Sequence, residues 1–85
     1  MFDNIYHTYK DTVFNLALHY VQRVEDAEEI TQDVFLSVYQ SLASFREDAR
    51  MSTWIYRITV NKSLDFIRRS KRKKRIGFLA GFFSF

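Results

Sequence analysis

The sequence predicts an all-α fold, a compact bundle of three long helices. Three observations carry this. The 85 residues contain no proline and only two glycines, so turn punctuation is nearly absent and a many-stranded sheet protein is excluded. Apolar residues recur at spacings of three and four over long stretches, the signature of amphipathic helices. Aromatic residues make up 18% of the chain, nine of them phenylalanine, which supplies the bulky side chains a domain this small needs for a core.

The elements follow in order. Tyr6, Tyr9, Val13, Leu16, Tyr20 and Val24 keep a three-four spacing, widened by Phe14, Ala17, Leu18 and Val21, and predict a helix from about Asp3 to about Arg23. Asp26 and Glu29 have capping-box spacing and are expected to open the second helix. Its apolar lines are Ile30, Val34, Val38 and Leu42, with Phe35 and Tyr39 beside them, and it should end near Ser44. The stretch from Phe45 to Met51 breaks the period and reads as a loop, with room for a short extra helix in the 46–52 segment. Ser52 or Thr53 is expected to cap a third helix from Trp54 to about Lys73, with an apolar line of Tyr56, Val60, Leu64 and Ile67. Residues 1–75 are therefore read as the helical domain and 76–85 as an apolar tail. That tail, IGFLAGFFSF, is too short to cross a bilayer. It is expected to pack back on the bundle, to pair with a second copy of the chain, or to be the stub of a longer linker.

Charge is strongly segregated. Met1 to Ala49 carries three Lys/Arg against nine Asp/Glu, a net charge of −6, and Arg50 to Phe85 carries ten against the single acid Asp65, a net charge of +9. Seven of the eight residues from Arg68 to Arg75 are basic, more than a helix end needs to balance its dipole. Two partners of opposite charge are implied, with nucleic acid or another anionic surface for the basic half. The sequence has no cysteine, which excludes disulfides, thiolate metal sites and cysteine nucleophiles. Met1-Phe2-Asp3 does not open a signal peptide, and no run of apolar residues is long enough for a membrane span.

No residue set for catalysis is present, so an enzyme is not expected. His7 and His19 lie twelve residues apart, about 120° around a helix, and do not share a face. There is no glycine-rich phosphate loop, and no cofactor, metal or small-molecule substrate is called for. Asp65 is expected to pair with Arg68 or Arg69. The more informative constellations are two. On the second helix, Glu25, Glu28, Glu29, Gln32 and Asp33, extended by Leu36 and Gln40, share the face opposite the apolar stripe. Acids in a first turn suit the dipole, but Gln32, Asp33 and Leu36 go beyond that and suit a protein partner. On the third helix, Arg50, Arg57, Lys62, Arg68 and Arg69 can reach phosphates, while Trp54, Ile58, Asn61 and Asp65 form a line between them. An amide such as Asn61 can read a base edge, and an aromatic can hold an unstacked base. For Trp54, core packing is the competing role.

Two segments resemble a known family. Tyr20 to Phe35, with Asp26-Ala27-Glu28-Glu29 and Gln32-Asp33-Val34-Phe35, is similar to the "DAEDxxQexF" segment of bacterial sigma factors of the extracytoplasmic-function (ECF) group. Phe45-Arg46, then Ser52-Thr53-Trp54-Ile55-Tyr56-Arg57-Ile58-Thr59-Val60-Asn61, then Asp65 with Arg68-Arg69, is similar to their "FR…sTWlyrIaxN…DxxRr" segment. Order and spacing both agree over residues 1 to about 75. The resemblance implies region 2 of a sigma factor, a helical, cytoplasmic module that binds RNA polymerase and opens promoter DNA. It implies that Glu29, Gln32, Asp33 and Leu36 dock on the clamp coiled coil of the polymerase β′ subunit. It implies that Phe45, Trp54, Arg57, Ile58, Asn61, Lys62, Arg68 and Arg69 meet the non-template strand of the minus-ten element, with Glu47–Met51 as a specificity loop. An anti-sigma factor is a further candidate partner for the acidic face, and a second copy for the tail. Family members carry a second helical domain that reads the minus-thirty-five element. The sequence ends before one, so an isolated domain or a shortened relative with reduced promoter specificity is expected. The competing reading is a small basic helical module that binds anionic membrane surfaces, or nucleic acid non-specifically, through Arg68–Arg75 and the apolar tail.

Overall fold

A computed structural model describes residues 2–45 and 50–83, the stretch 73–83 as backbone only. It contains α1 (Phe2–Val21), α2 (Val24–Ser41), a short 3-10 turn (Leu42–Ser44) and α3 (Met51–Phe83). The all-α expectation holds, and each helix packs on the other two. The short extra helix considered for 46–52 falls mainly on residues 46–49, outside the described residues, as does most of the Glu47–Met51 loop. Met51 and Ser52 belong to the first turn of α3.

The core is built where the helical spacing of α1 and α2 puts it. Ile5, Val13 and Ala17 of α1 meet Ala27, Ile30, Val34, Phe35 and Val38 of α2, and α3 adds Ile55. Phe2, Tyr9, Phe14, Leu18, Val21, Leu42, Met51, Trp54, Ile58 and Phe66 pack around them. Tyr6 and Tyr39 are only edge members, both exposed to solvent. Their rings still pack edge-on, Tyr6 against Phe35 at 5.0 Å and Tyr39 against Phe2 at 5.4 Å.

The turn between α1 and α2 corrects the expected boundaries. Gln22 takes the left-handed conformation (φ 61°), and its N–H donates to the Leu18 carbonyl at 2.7 Å, which ends α1. Arg23 is extended, and its carbonyl accepts from Ala27 N–H at 2.9 Å. The helix thus begins at Val24, and Asp26 sits inside the first turn instead of capping it. There its carboxylate still favours the positive end of the dipole and lies 4.0 Å from the Arg23 guanidinium. Val24, read as the last residue of the α1 stripe, is on α2 and half exposed.

α3 departs further. It starts at Met51, with Trp54 N–H donating to the Arg50 carbonyl at 3.1 Å, so neither Ser52 nor Thr53 caps it. Its buried line is Ile55, Thr59 and Ser63, not Tyr56, Val60, Leu64 and Ile67; Tyr56 is 54% and Leu64 41% exposed. The physical reason is close approach. Thr59 and Ser63 are fully buried, and their short side chains let the α3 backbone sit near its neighbours. The Thr59 hydroxyl is satisfied within the helix, donating to the Ile55 carbonyl at 2.8 Å. Of the displaced apolar line, Tyr56 borders the α1–α3 groove, which it lines with Tyr9, Leu16, Ile55 and several hydroxyl residues. α3 also continues past the expected end near Lys73, to Phe83. Lys and Arg are good helix formers, and Gly77 and Gly81 each weaken a helix by only about 1 kcal/mol against alanine, too little to stop it without a proline.

Phe45, the last described residue before α3, lays its ring on Trp54 with centroids 4.7 Å apart and planes 33° apart. This contact covers the one tryptophan of the chain. Two outcomes are expected. Gln22→Gly removes the steric cost of a left-handed non-glycine residue and should stabilise the fold by about 1 kcal/mol, seen as a melting temperature several degrees higher. Phe45→Ala should shift Trp54 fluorescence to longer wavelength, because the indole gains water, with little change in the far-ultraviolet circular dichroism.

Candidate nucleic-acid and partner interface

The exposed face of α2 carries its acids, while Ala27, Ile30, Val34, Phe35 and Val38 turn into the core. Glu25, Glu29, Leu36 and Gln40 run along the middle of this face, all exposed, with Leu36 at 55%. Its two edges lie against different neighbours. Gln32 and Glu28 border α1, sharing a groove with Tyr6, Lys10, Asp11 and Phe14. Asp33 borders α3, half-buried in a groove with Lys62, Asp65, Arg68, Arg69 and Arg72. Glu29 and Asp26 line an adjoining groove with Arg23, Phe66 and Arg69. Glu29, Gln32, Asp33 and Leu36 therefore cross the exposed face of α2, from the α1 edge at Gln32 to the α3 edge at Asp33.

α3 offers its opposite side. Trp54, Ile58, Asn61 and Asp65 rise along one line about 16 Å long, from half-buried Trp54 and Ile58 to exposed Asn61 and Asp65. Trp54 packs on the core edge, the competing role weighed for it, and its ring stacks on that of Phe45. Arg57 and Arg68 are exposed, and by helical spacing they flank the outer side of the line. Lys62 and Arg69 flank the inner side, facing α2. The structure gathers Lys62, Arg68 and Arg69 in one groove of about 490 Å³, and leaves Arg57 and Asn61 of the same helix, and Phe45 before it, outside.

Arg72 belongs to this groove and was absent from the expected site set, although its spacing of three and four from Arg69 and Arg68 marks it. Asp33 is the larger surprise. Periodicity places it on the acidic face, but only the packing of α2 on α3 puts it among four cations. No ion pair within 4.0 Å joins α2 to α3 among the described residues, so these charges act across a solvated gap. Asp65 does pair with Arg68, at 2.6 Å, as its spacing suggested. His7 and His19 are both exposed and far apart, and no cluster of metal-ligating side chains occurs among the described residues.

The sigma-70 region 2 family model matches residues 5–73. The ECF RNA polymerase sigma factor SigW of Bacillus subtilis is 37% identical over 70 residues, which is 82% of this chain and 37% of SigW. SigM of Mycobacterium tuberculosis, also an ECF RNA polymerase sigma factor, is 39% identical over 70 residues, 82% of this chain and 36% of SigM. The RNA polymerase sigma-H factor of Pseudomonas aeruginosa is 29% identical over 72 residues, 84% of this chain and 37% of that protein. The chain spans little more than a third of the length of these relatives. The membrane-surface reading gains no support from them, and no helix among the described residues is long and apolar enough to cross a membrane. The chain belongs to the sigma-70 region 2 family, in the ECF group.

Proposed function

We propose that this domain is the promoter-recognition and melting module of an RNA polymerase sigma factor, acting in the cytoplasm with the polymerase core. Residues 1–75 form the working unit, with 76–85 as its apolar tail. The observation that carries the reading is the juxtaposition of an exposed acidic α2 face with an exposed cationic α3 face that bears a tryptophan and an asparagine. On this reading the α2 face, through Glu29, Gln32, Asp33 and Leu36, docks on the clamp coiled coil of the β′ subunit. The acids supply orientation and on-rate, and Leu36 supplies apolar contact at the centre.

The α3 face then takes the non-template strand of the minus-ten element. Unpairing and unstacking a base costs a few kcal/mol. Counterion release at Arg57, Lys62, Arg68 and Arg69 offsets part of that cost and carries no sequence information. Phe45, Trp54 and Ile58 provide ring and aliphatic surface for an unstacked base, and Asn61 provides a donor and an acceptor for its edge. The domain makes and breaks no bond; it lowers the cost of holding the duplex open. An anti-sigma factor that covers the acidic face would compete with the polymerase, and a second copy is the partner that fits the phenylalanine-rich tail.

Replacing Gln32 and Asp33 together by lysine should abolish binding to the β′ clamp helices, measured by pull-down, while circular dichroism stays that of the parent. Retained binding would remove the α2 face from the interface. Asn61→Ala should lower discrimination among minus-ten sequences by about tenfold, measured by competition between single-stranded oligonucleotides in the presence of polymerase. An equal loss on every sequence would give Asn61 a positioning role only.

A further inference from the structure

The groove between α2 and α3 is built in a way that simple phosphate binding does not require. Four cations, Lys62, Arg68, Arg69 and Arg72, line it, and two carboxylates, Asp33 and Asp65, stand among them. Asp33 has a reason to be there, since it belongs to the α2 face. Asp65 has none of that kind. It is the single acid between Arg50 and Phe85. It is exposed, so it supports no core contact. It lies on the line of Trp54, Ile58 and Asn61, where a strand would pass, and it binds the Arg68 guanidinium at 2.6 Å.

We propose that Asp65 is a specificity-determining residue of the α3 surface: it holds Arg68 and places a negative charge among the groove cations, so that a phosphate chain alone is retained poorly and base contacts decide binding. The inference rests on the reading of α3 as a nucleic-acid surface. Two effects act together. The Asp65 carboxylate repels an approaching phosphate, and it engages part of the Arg68 guanidinium, so that Arg68 holds phosphate less strongly than its unpaired charge would. Both lower the sequence-independent part of the affinity, which otherwise swamps discrimination. Asn61, one helical turn away, is left to contribute a larger share of what remains.

Asp65→Asn keeps the shape and removes the charge, and at this exposed position it should leave the fold intact. The probe is a labelled single-stranded oligonucleotide of mixed sequence, bound to the whole chain and followed by fluorescence anisotropy at several salt concentrations. The variant should bind about fivefold more tightly at low salt. Its slope of log affinity against log salt should steepen by about 0.7, the value for one further phosphate contact on a single strand. Asp65→Glu, which can still reach Arg68, should behave like the parent. In Asp65→Asn/Arg68→Ala the added slope should vanish, which separates release of Arg68 from a general change of charge. Affinity for the mixed sequence that is unchanged or lower in Asp65→Asn overturns the proposal, as does a slope that does not move. A parent chain that ignores minus-ten strands with polymerase, while Asp65→Asn still gains affinity and slope, overturns the region 2 role and leaves the restraint by Asp65 standing.

Discussion

The seating of α3 against the other two helices is the constraint on which the rest depends. It is achieved by small residues. Thr59 and Ser63, fully buried, let the α3 backbone come close, and Ile55 fills the space one turn before them. The arrangement has a cost: the Ser63 hydroxyl finds no hydrogen-bond partner among the described residues, and an unpaired buried hydroxyl disfavours the fold by about 1–3 kcal/mol. In return α3 turns so that Asn61 and Asp65 look outward, Trp54 and Ile58 sit half-buried at the core edge, and Lys62 and Arg69 lean toward α2. Had Tyr56 and Leu64 been the buried line, the helix would be rotated by about 100° and the cationic edge would no longer face Asp33.

From that rotation follows an electrostatic layout in which the two charged halves of the sequence are neighbours. The acidic α2 face and the basic α3 face share a border along Asp26, Glu29 and Asp33 on one side and Lys62 and Arg69 on the other. The charges across this border stay too far apart for ion pairs. They therefore remain hydrated and available, which suits surfaces that must bind something else. By contrast, the pairs that do close are local: Arg23 with Glu25 and Asp26 at the start of α2, and Arg68 with Asp65 within one turn of α3.

Much of this is legible in the sequence, and the limits have physical causes. α1 and α2 have long apolar stripes with one dominant period, so their cores at Val13, Ala17, Ile30, Val34 and Val38 follow directly from spacing. α3 is harder because its buried line is half hydroxyl. Periodicity rewards Tyr56 and Leu64, while close packing rewards Thr59 and Ser63, and only the tertiary contact decides between them. Boundaries fail in the same manner. Ser52, Thr53 and Asp26 are good caps by type, yet the turns use backbone carbonyls of Arg23 and Arg50. The site residues are visible as a set, because charge and aromatic content stand out without a fold. Their partition is not visible: that Gln32 faces α1 while Asp33 faces α3 needs all three helices in place.

The unbroken course of α3 has one more implication. A helix advances 1.5 Å and turns about 100° with every residue, so successive cations in a basic run cannot stay on one side of the rod. Arg69 faces α2, Arg72 and Arg68 follow around the outer side, and Lys71 lies nearest α1, beside Tyr20 and Val21. Positive charge thus wraps about 160° of the shaft, from the α2 flank to the α1 flank, like an open collar. A polyanion meeting that collar experiences attraction over the whole of this arc, and only farther up the shaft, near Asn61, does orientation matter more closely.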